Sequence, residues 1–344
     1  MTTIPGRPVL LAMDDTSSVG EARRTAVAMA KNQGFDESGQ GRVAIVATEA
    51  ASNLVKHAKA GELVLRELDD DPSGGVEILS LDKGPGMADV SRFITDGVST
   101  AGTPGNGLGA IARLSDSFAI HSVPELGTAA LSRFWPGADA RKEWPADLEI
   151  GAVSLPMAGE EVCGDSWCVD VGSNQTRILV VDGLGHGAPA AAAAREAVRA
   201  FREHAARGPE AVIIAAHDAL RATRGAAIAV AQIDVARREL RFAGVGNIAA
   251  SVLTTDEGRG FSLVSHNGTA GHALRRIQEF VHPWTQESLL VMHSDGLVSH
   301  WRLQNYRGLL HEHPGLVAGV LYRDFRRGRD DTTALVARGR RVST

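Results

Sequence analysis

The chain has 344 residues, 44% of them hydrophobic and 22% charged, which is room for two globular domains. Its 36 Lys and Arg against 41 Asp and Glu leave a net charge of −5, which argues against nucleic acid as a bulk partner. Cys163 and Cys168, the two cysteines, are too few for a disulfide framework or a four-cysteine zinc site. No apolar run approaches the ~20 residues that span a bilayer and no signal-like apolar core opens the chain, so a cytoplasmic protein without a membrane partner is expected.

In the first half, residues 9–13 predict a short strand, 14–18 a turn with capping residues, and 19–32 a helix. The helix predicted over 41–59 is the first with chemical content. Val43, Val46, Ala47, Ala50, Leu54 and Ala58 give it an apolar stripe at helical spacing, and Glu49, Asn53 and His57, four apart, share a second stripe. An acid, an amide and an imidazole in line suit a solvated face as well as a site. Residues 63–68 and 76–81 predict a pair of strands about a longer loop. The second strand ends in Asp82, followed by Gly84 and Gly86. A segment rich in Gly, Ser and Thr (88–104) leads to Gly105, Gly107 and Gly109, which open a helix. Glycines at a helix start let backbone N–H groups approach a phosphate, and the helix dipole favours the anion. Strands at 118–122 and 128–134 finish this half. Residues 137–147, with Pro, Ala and charge but no periodicity, read as a linker between domains 1–136 and 148–344.

In the second half, strands are predicted at 148–155, 166–171, 176–181, 226–234, 239–242, 248–254, 289–293 and 333–337, with helices at 188–206 and 209–223. Strands outnumber helices, which suggests a layered α/β sandwich. The apolar run 178–181 delivers Asp182 to a turn loosened by Gly183, Gly185 and Gly187. A carboxylate and a backbone carbonyl at such a turn offer the hard oxygens that Mg²⁺ or Mn²⁺ require. One strand–Asp–Gly turn is commonplace. The pattern recurs, however: GDSWCVD supplies Asp165, HSDGL supplies Asp295, and RDDTT supplies Asp330 and Asp331, each abutting an apolar strand. Loop solubility does not explain that recurrence.

The ordered set EAASNLVKHA, DKGPG, GNGLG and GT, across residues 8–135, resembles the GHKL ATPases, above all the small anti-sigma serine kinases of the RsbT type. The resemblance implies a Bergerat α/β sandwich that binds ATP with Mg²⁺. It implies that Asn53 helps hold Mg²⁺, that Asp82 receives the adenine amino group, and that Gly84 and Gly86 hinge the lid. Gly105, Gly107 and Gly109 would wrap the phosphates, with Leu108 and Thr128 in the same nucleotide site. Glu49 would be the base that orients the incoming hydroxyl, in a reaction that needs positioning and charge neutralisation more than covalent chemistry. His57 is expected to be structural. Too few residues precede the Glu49 helix for a histidine-kinase dimerisation hairpin, which favours serine kinase activity.

CGDSWCVD, VVDGLGHG, FAGVGNI, HSDGLV and RDDTTALVA, in family order over residues 148–338, resemble the metal-dependent 2C-type protein phosphatases of the SpoIIE and RsbX branch. That implies an α/β/β/α sandwich, and hence a two-domain α+β chain. It further implies that Asp165, Asp182, the Gly183 carbonyl, Asp295 and either Asp330 or Asp331 bind two Mn²⁺ or Mg²⁺ ions, which activate water for in-line attack on phosphoserine or phosphothreonine. Cys163 and Cys168 are then packing residues, His186 is expected to stabilise the turn, and residues 244–247 to form a structural turn near the site. Together the resemblances imply a bifunctional partner-switching regulator in stress signalling, acting on a STAS-domain antagonist protein. The alternative is a phosphatase whose N-terminal domain is a non-catalytic, ATP-dependent binding module for a STAS protein or a sigma factor. A homodimer through either domain is compatible with both families.

Overall fold

The computed structural model describes residues 2–3, 6, 8–68, 74–94, 107–137, 148–172, 175–255, 260–274 and 276–340. They fall into two compact units, one drawn from residues 6–137 with 305–312, the other from 2–3, 148–304 and 313–340. The opening strand β1 (Thr2–Thr3) belongs to the second unit, where it pairs along an edge.

The first unit runs β2 (Val9–Ala12), α1 (Thr16–Asn32), α2 (Glu37–His57), β3 (Glu62–Glu67), β4 (Val76–Leu81), α3 (Val90–Ile94), α4 (Gly107–Leu114), β5 (Ser117–Val123) and β6 (Gly127–Phe134). Both long helices begin earlier than periodicity alone predicts, because an aspartate caps each. Asp15 accepts from the Ser17 and Ser18 amides, and Asp36 from Gly39 at 2.7 Å. The strands form one antiparallel sheet in the order β2-β3-β4-β6-β5. Helices α1, α2 and α4 bury their apolar stripes together with one sheet face: Met29, Val43, Leu54 and Ile111 meet Leu63, Ile78 and Phe134. The sheet also carries a buried charge ladder. Register sets Glu77 between Arg66 and Arg133, with Arg66 Nη2–Glu77 Oε1 at 3.0 Å and Arg133 Nε–Glu77 Oε2 at 2.7 Å. The short helix α3 lies in the stretch read as irregular. Residues 95–106, with Gly105, are outside the described residues, as is 138–147 of the linker.

The second unit continues with β7 (Leu148–Leu155), β8 (Asp165–Val171), β9 (Thr176–Gly183), α5 (Gly187–His204), α6 (Pro209–Ala219), β10 (Ala226–Asp234), β11 (Glu239–Val245) and β12 (Ala249–Thr254). It ends with β13 (Gly260–Leu263), β14 (Phe280–Pro283), β15 (Ser288–His293), α7 (Pro314–Phe325) and β16 (Thr332–Gly339). Two antiparallel sheets, β1-β8-β9-β10-β11-β14 and β13-β12-β15-β16-β7, share a core of Trp167, Phe242, Trp284, Leu290 and Leu335. The period-2 pleat of β9 decides its neighbours: Ile178 and Val180 enter that core, while Leu179 and Val181 face α5 and α6 through Phe201 and Ile213. Helix α7 packs on β7 and β16, where Gly151 and Gly315 permit close backbone approach, so the layers read α/β/β/α. No described helix is long and apolar enough to cross a membrane.

Four elements of this unit differ from the sequence reading. β9 does not stop at residue 181 but runs through Asp182 and Gly183, paired with β10 to its end. Helix α7 has no amphipathic stripe to detect, since every residue from Pro314 to Arg323 is buried. The strands β13 and β14 are short, largely exposed edges that offer no apolar run.

Candidate functional site

In the first unit, one helix face does what its spacing suggested. Glu49, Asn53 and His57 of α2 line a cavity of about 500 Å³, with Asp82 beyond β4, Gly86 and Met87 on the following loop, Gly107, Leu108 and Ile111 of α4, and Thr128 of β6. Ile78, Phe93 and Ile120 line it with apolar carbon, as a ring-shaped ligand requires. The Asp82 carboxylate is held in place, since its Oδ1 accepts the Gly84 amide at 2.6 Å and the Thr128 amide at 3.3 Å. Gly84 itself does not line the cavity; its amide is committed to Asp82. Gly107 starts α4 against the acid, where a Cβ would lie 3.1 Å from Glu49 Oε2, so the helix N-terminus and Glu49 converge on one space. Gly86 sits at φ +66° with its Cα against the Val123 carbonyl, a conformation and a fit that only glycine accepts. Gly109 is buried one step behind, on the core side of α4. His57, expected to be structural, faces the cavity too. Ser122 was missed: its hydroxyl takes the Met87 amide at 2.8 Å and bonds Thr128 Oγ1 at 2.9 Å, tying the loop after Asp82 to β5 and β6.

In the second unit, tertiary structure gathers the scattered aspartates. Asp165 opens β8 directly opposite Asp182 in β9. Asp165 is 5% exposed, accepts from the Ser294 and Thr333 hydroxyls, and keeps Oδ2 buried without a partner. Asp182 lies on the same floor, within electrostatic reach of Asp165, Asp295, Asp330 and Asp331. Burial first and the neighbouring negative charges second push the Asp165 carboxyl up to about 7 and that of Asp182 to about 9. Burial, then Asp295, also raises Asp330. Gly183 has no room for a side chain, because α5 presses the Ala190 carbonyl to 2.2 Å from where its Cβ would be.

The adjacent pair at the end of the chain separates by environment. Asp331 is 2% exposed, and its two oxygens accept the Met157 amide at 2.7 Å and the Gly164 amide at 2.8 Å. Asp330 is half-buried and faces the other carboxylates. Two further residues escaped the sequence reading. Asn247, taken for part of a plain turn, donates from Nδ2 to Asp295 Oδ2 at 2.7 Å. Glu160, in a loop with no motif, holds His186 Nδ1 at 2.6 Å, an anchor for the turn as expected of that histidine. Burial pushes the Cys163 thiol up, and Cys168 is fully buried in the helix-side core, so both pack rather than react.

The donor chemistry of this floor is all hard oxygen, and the orphaned Asp165 Oδ2 is a buried polar atom of the kind a cation satisfies. The residues therefore fit a hard divalent ion in kind. In the side-chain positions seen, no group of three or more His, Cys, Asp or Glu among the described residues converges closely enough to hold an ion.

Comparison with known proteins agrees with this division. The Stage II sporulation protein E (SpoIIE) family matches residues 172–340, a range that begins after Asp165, and the histidine kinase-like ATPase domain matches residues 12–132. The serine/threonine-protein kinase RsbT of Bacillus subtilis (strain 168) is 33% identical over 114 residues, which are 33% of this chain and 86% of RsbT. The phosphoserine phosphatase RsbX of the same organism is 24% identical over 143 residues, 42% of this chain and 71% of RsbX. Among solved structures, a chain reported for the bacterial stressosome, a modular system adapted to control secondary messenger signalling, superposes with a TM-score of 0.51 at 27% identity, covering 56% of this chain and 99% of its own. RsbX in complex with magnesium superposes at 0.50 with 21% identity, covering 58% and 98%, a likeness of fold. By its first unit the chain belongs to the RsbT family of GHKL-type ATPase domains, here fused to a domain of 2C-like phosphatase fold that matches the SpoIIE family model.

Proposed function

We propose that this chain is a bifunctional partner-switching enzyme of the cytoplasm. Its phosphatase domain removes phosphate from serine or threonine of a STAS-domain antagonist protein, and its RsbT-like domain uses ATP to phosphorylate the same class of partner. The observation that carries the first half is the facing pair Asp165 and Asp182, with a buried unpartnered oxygen and Asp295 and Asp330 within electrostatic reach. Asp165, Asp182, the Gly183 carbonyl, Asp295 and Asp330 would hold Mn²⁺ or Mg²⁺; the two committed oxygens of Asp331 favour a scaffold role for it. Bound there, divalent ions supply an activated water and neutralise phosphoryl oxygens. The chain's own contribution is orientation: Ser294 and Thr333 fix Asp165, Asn247 fixes Asp295, and Asp331 pins the loop that leads into β8.

In the ATPase-like domain, Asp82 would accept the adenine amino group, Asn53 would help hold Mg²⁺, and the start of α4 would receive the phosphates. Glu49, beside Gly107, would orient the incoming serine hydroxyl. RsbT's description as a serine/threonine kinase and RsbX's as a phosphoserine phosphatase support assigning the two activities to the two domains. The test is a paired assay with phosphorylated and unphosphorylated STAS protein, adding Mn²⁺ and ATP in turn, on wild type, Glu49→Ala and Asp182→Ala. Phosphate gained through Glu49 and removed through Asp182 is the expected result. Removal without gain, with Glu49→Ala still binding the partner or a sigma factor, would make the first domain a binding module. Neither gain nor removal would end the proposal.

A further inference from the structure

The loop before β10 sets a cation beside the turn between β9 and α5, and none of the roles above gives it a task. Pairing sets Ala226 of β10 against Gly183 and Ala227 against Asp182. The ladder continues one step past the strands, for the Leu184 amide donates to the Gly225 carbonyl at 3.0 Å. Arg224 is thereby delivered to the flank of Gly185, where its Nη1 lies 3.0 Å from the place a Cβ would occupy. The side chain is exposed, and among the described residues it makes no ion pair or hydrogen bond. That sets it apart from Arg177, Arg199 and Arg241 of the same domain, each clasped by an acid. The other basic side chain of the turn, His186, is already engaged by Glu160.

A guanidinium left unpaired at the rim of a carboxylate floor is held by backbone geometry, not by attraction to one partner. Its planar fork matches two oxygens of a phosphate, and the negative floor gives an incoming phosphate dianion reason to need it. Leu184, 43% exposed on the same turn, offers apolar contact to the residue that bears the phosphate. We propose that Arg224 is a substrate-binding residue that grips the phosphoryl group of phosphoserine or phosphothreonine at the mouth of the phosphatase site. The inference rests on the phosphatase reading, deepening it with a recognition residue.

The experiment compares wild type, Arg224→Ala and Arg224→Lys in the full chain with Mn²⁺. A phosphoserine peptide is the substrate, and calorimetric binding of inorganic phosphate is measured separately. Arg224→Ala should raise KM and weaken phosphate binding about tenfold, as loss of one charge-assisted contact predicts. Its kcat should change less than about threefold, its Mn²⁺ affinity should stay within about twofold of wild type, and the salt dependence of kcat/KM should flatten. Arg224→Lys should recover part of KM. Unchanged KM and phosphate affinity would overturn the proposal, as would a rise in KM matched by lost Mn²⁺ affinity. If wild type shows no Mn²⁺-dependent turnover, the phosphatase reading fails, and the phosphate-binding comparison still decides whether Arg224 grips phosphate.

Discussion

Asp330 and Asp331 are neighbours in sequence with opposite expected phenotypes. Replacing Asp331 by alanine strips acceptors from the Met157 and Gly164 amides, which it now receives at 2.7 and 2.8 Å. Each buried N–H left without a partner costs about 1–3 kcal/mol, so Asp331→Ala should destabilise the phosphatase domain by about 2–6 kcal/mol. Asp331→Asn keeps one acceptor oxygen and should fall between. Asp330→Ala removes a half-buried carboxylate that burial and Asp295 oppose but whose Oδ1 accepts the Asp331 amide at 2.9 Å, so it should cost at most about 1–3 kcal/mol, half of what Asp331→Ala loses. Its Mn²⁺ affinity, however, should drop at least about tenfold, since a ligand would be lost. Urea unfolding without divalent ions reads the first effect through Trp167 and Trp284, both in the core between the two sheets. Calorimetric titration with Mn²⁺ reads the second. An Asp331→Ala variant with an unchanged urea midpoint but no Mn²⁺ binding, beside an Asp330→Ala variant that binds normally, would refute the assignment.

Mn²⁺ affinity of the wild type should climb between about pH 6 and pH 9, because the Asp165 carboxyl, pushed up to about 7, and that of Asp182, at about 9, must lose protons to ligate. Calorimetry in buffers of different ionisation enthalpy should show proton release, and pH-independent binding would contradict the carboxylate assignment. Asn247→Ala should leave the fold intact while lowering Mn²⁺ affinity by about 10–100-fold through a loosened Asp295, whereas wild-type affinity would make Asn247 a turn residue only. Glu77→Gln should destabilise the ATPase-like domain by about 3–5 kcal/mol at pH 7, leaving buried Arg66 and half-buried Arg133 beside a neutral group. Burial works against the Glu77 charge, but the two arginines outweigh it and hold the carboxyl below its ordinary value of 4.5. Its contribution is therefore fully present above that pH and lost as pH falls through the lower folded value, so the two proteins should converge in acid-titrated urea curves.

Much of this was written in the chain. Helical spacing alone put Glu49, Asn53 and His57 on one face, because side chains four apart must share it, and the cavity is found on that face. Apolar runs likewise marked most strands of both domains, since burial between layers demands them. Three things could be read only once the chain was folded. Helix α7 is apolar all round, so it carries no period to reveal it. Glu160, Asn247 and Arg224 lie 26, 48 and 39 residues from His186, Asp295 and Gly185, the residues they serve, and only the folded chain brings them there. Asp330 and Asp331 are chemically identical in sequence. What separates them is that the turn entering β16 brings one carboxylate toward the aspartate floor and sinks the other among backbone amides, where hydrogen bonds claim both its oxygens.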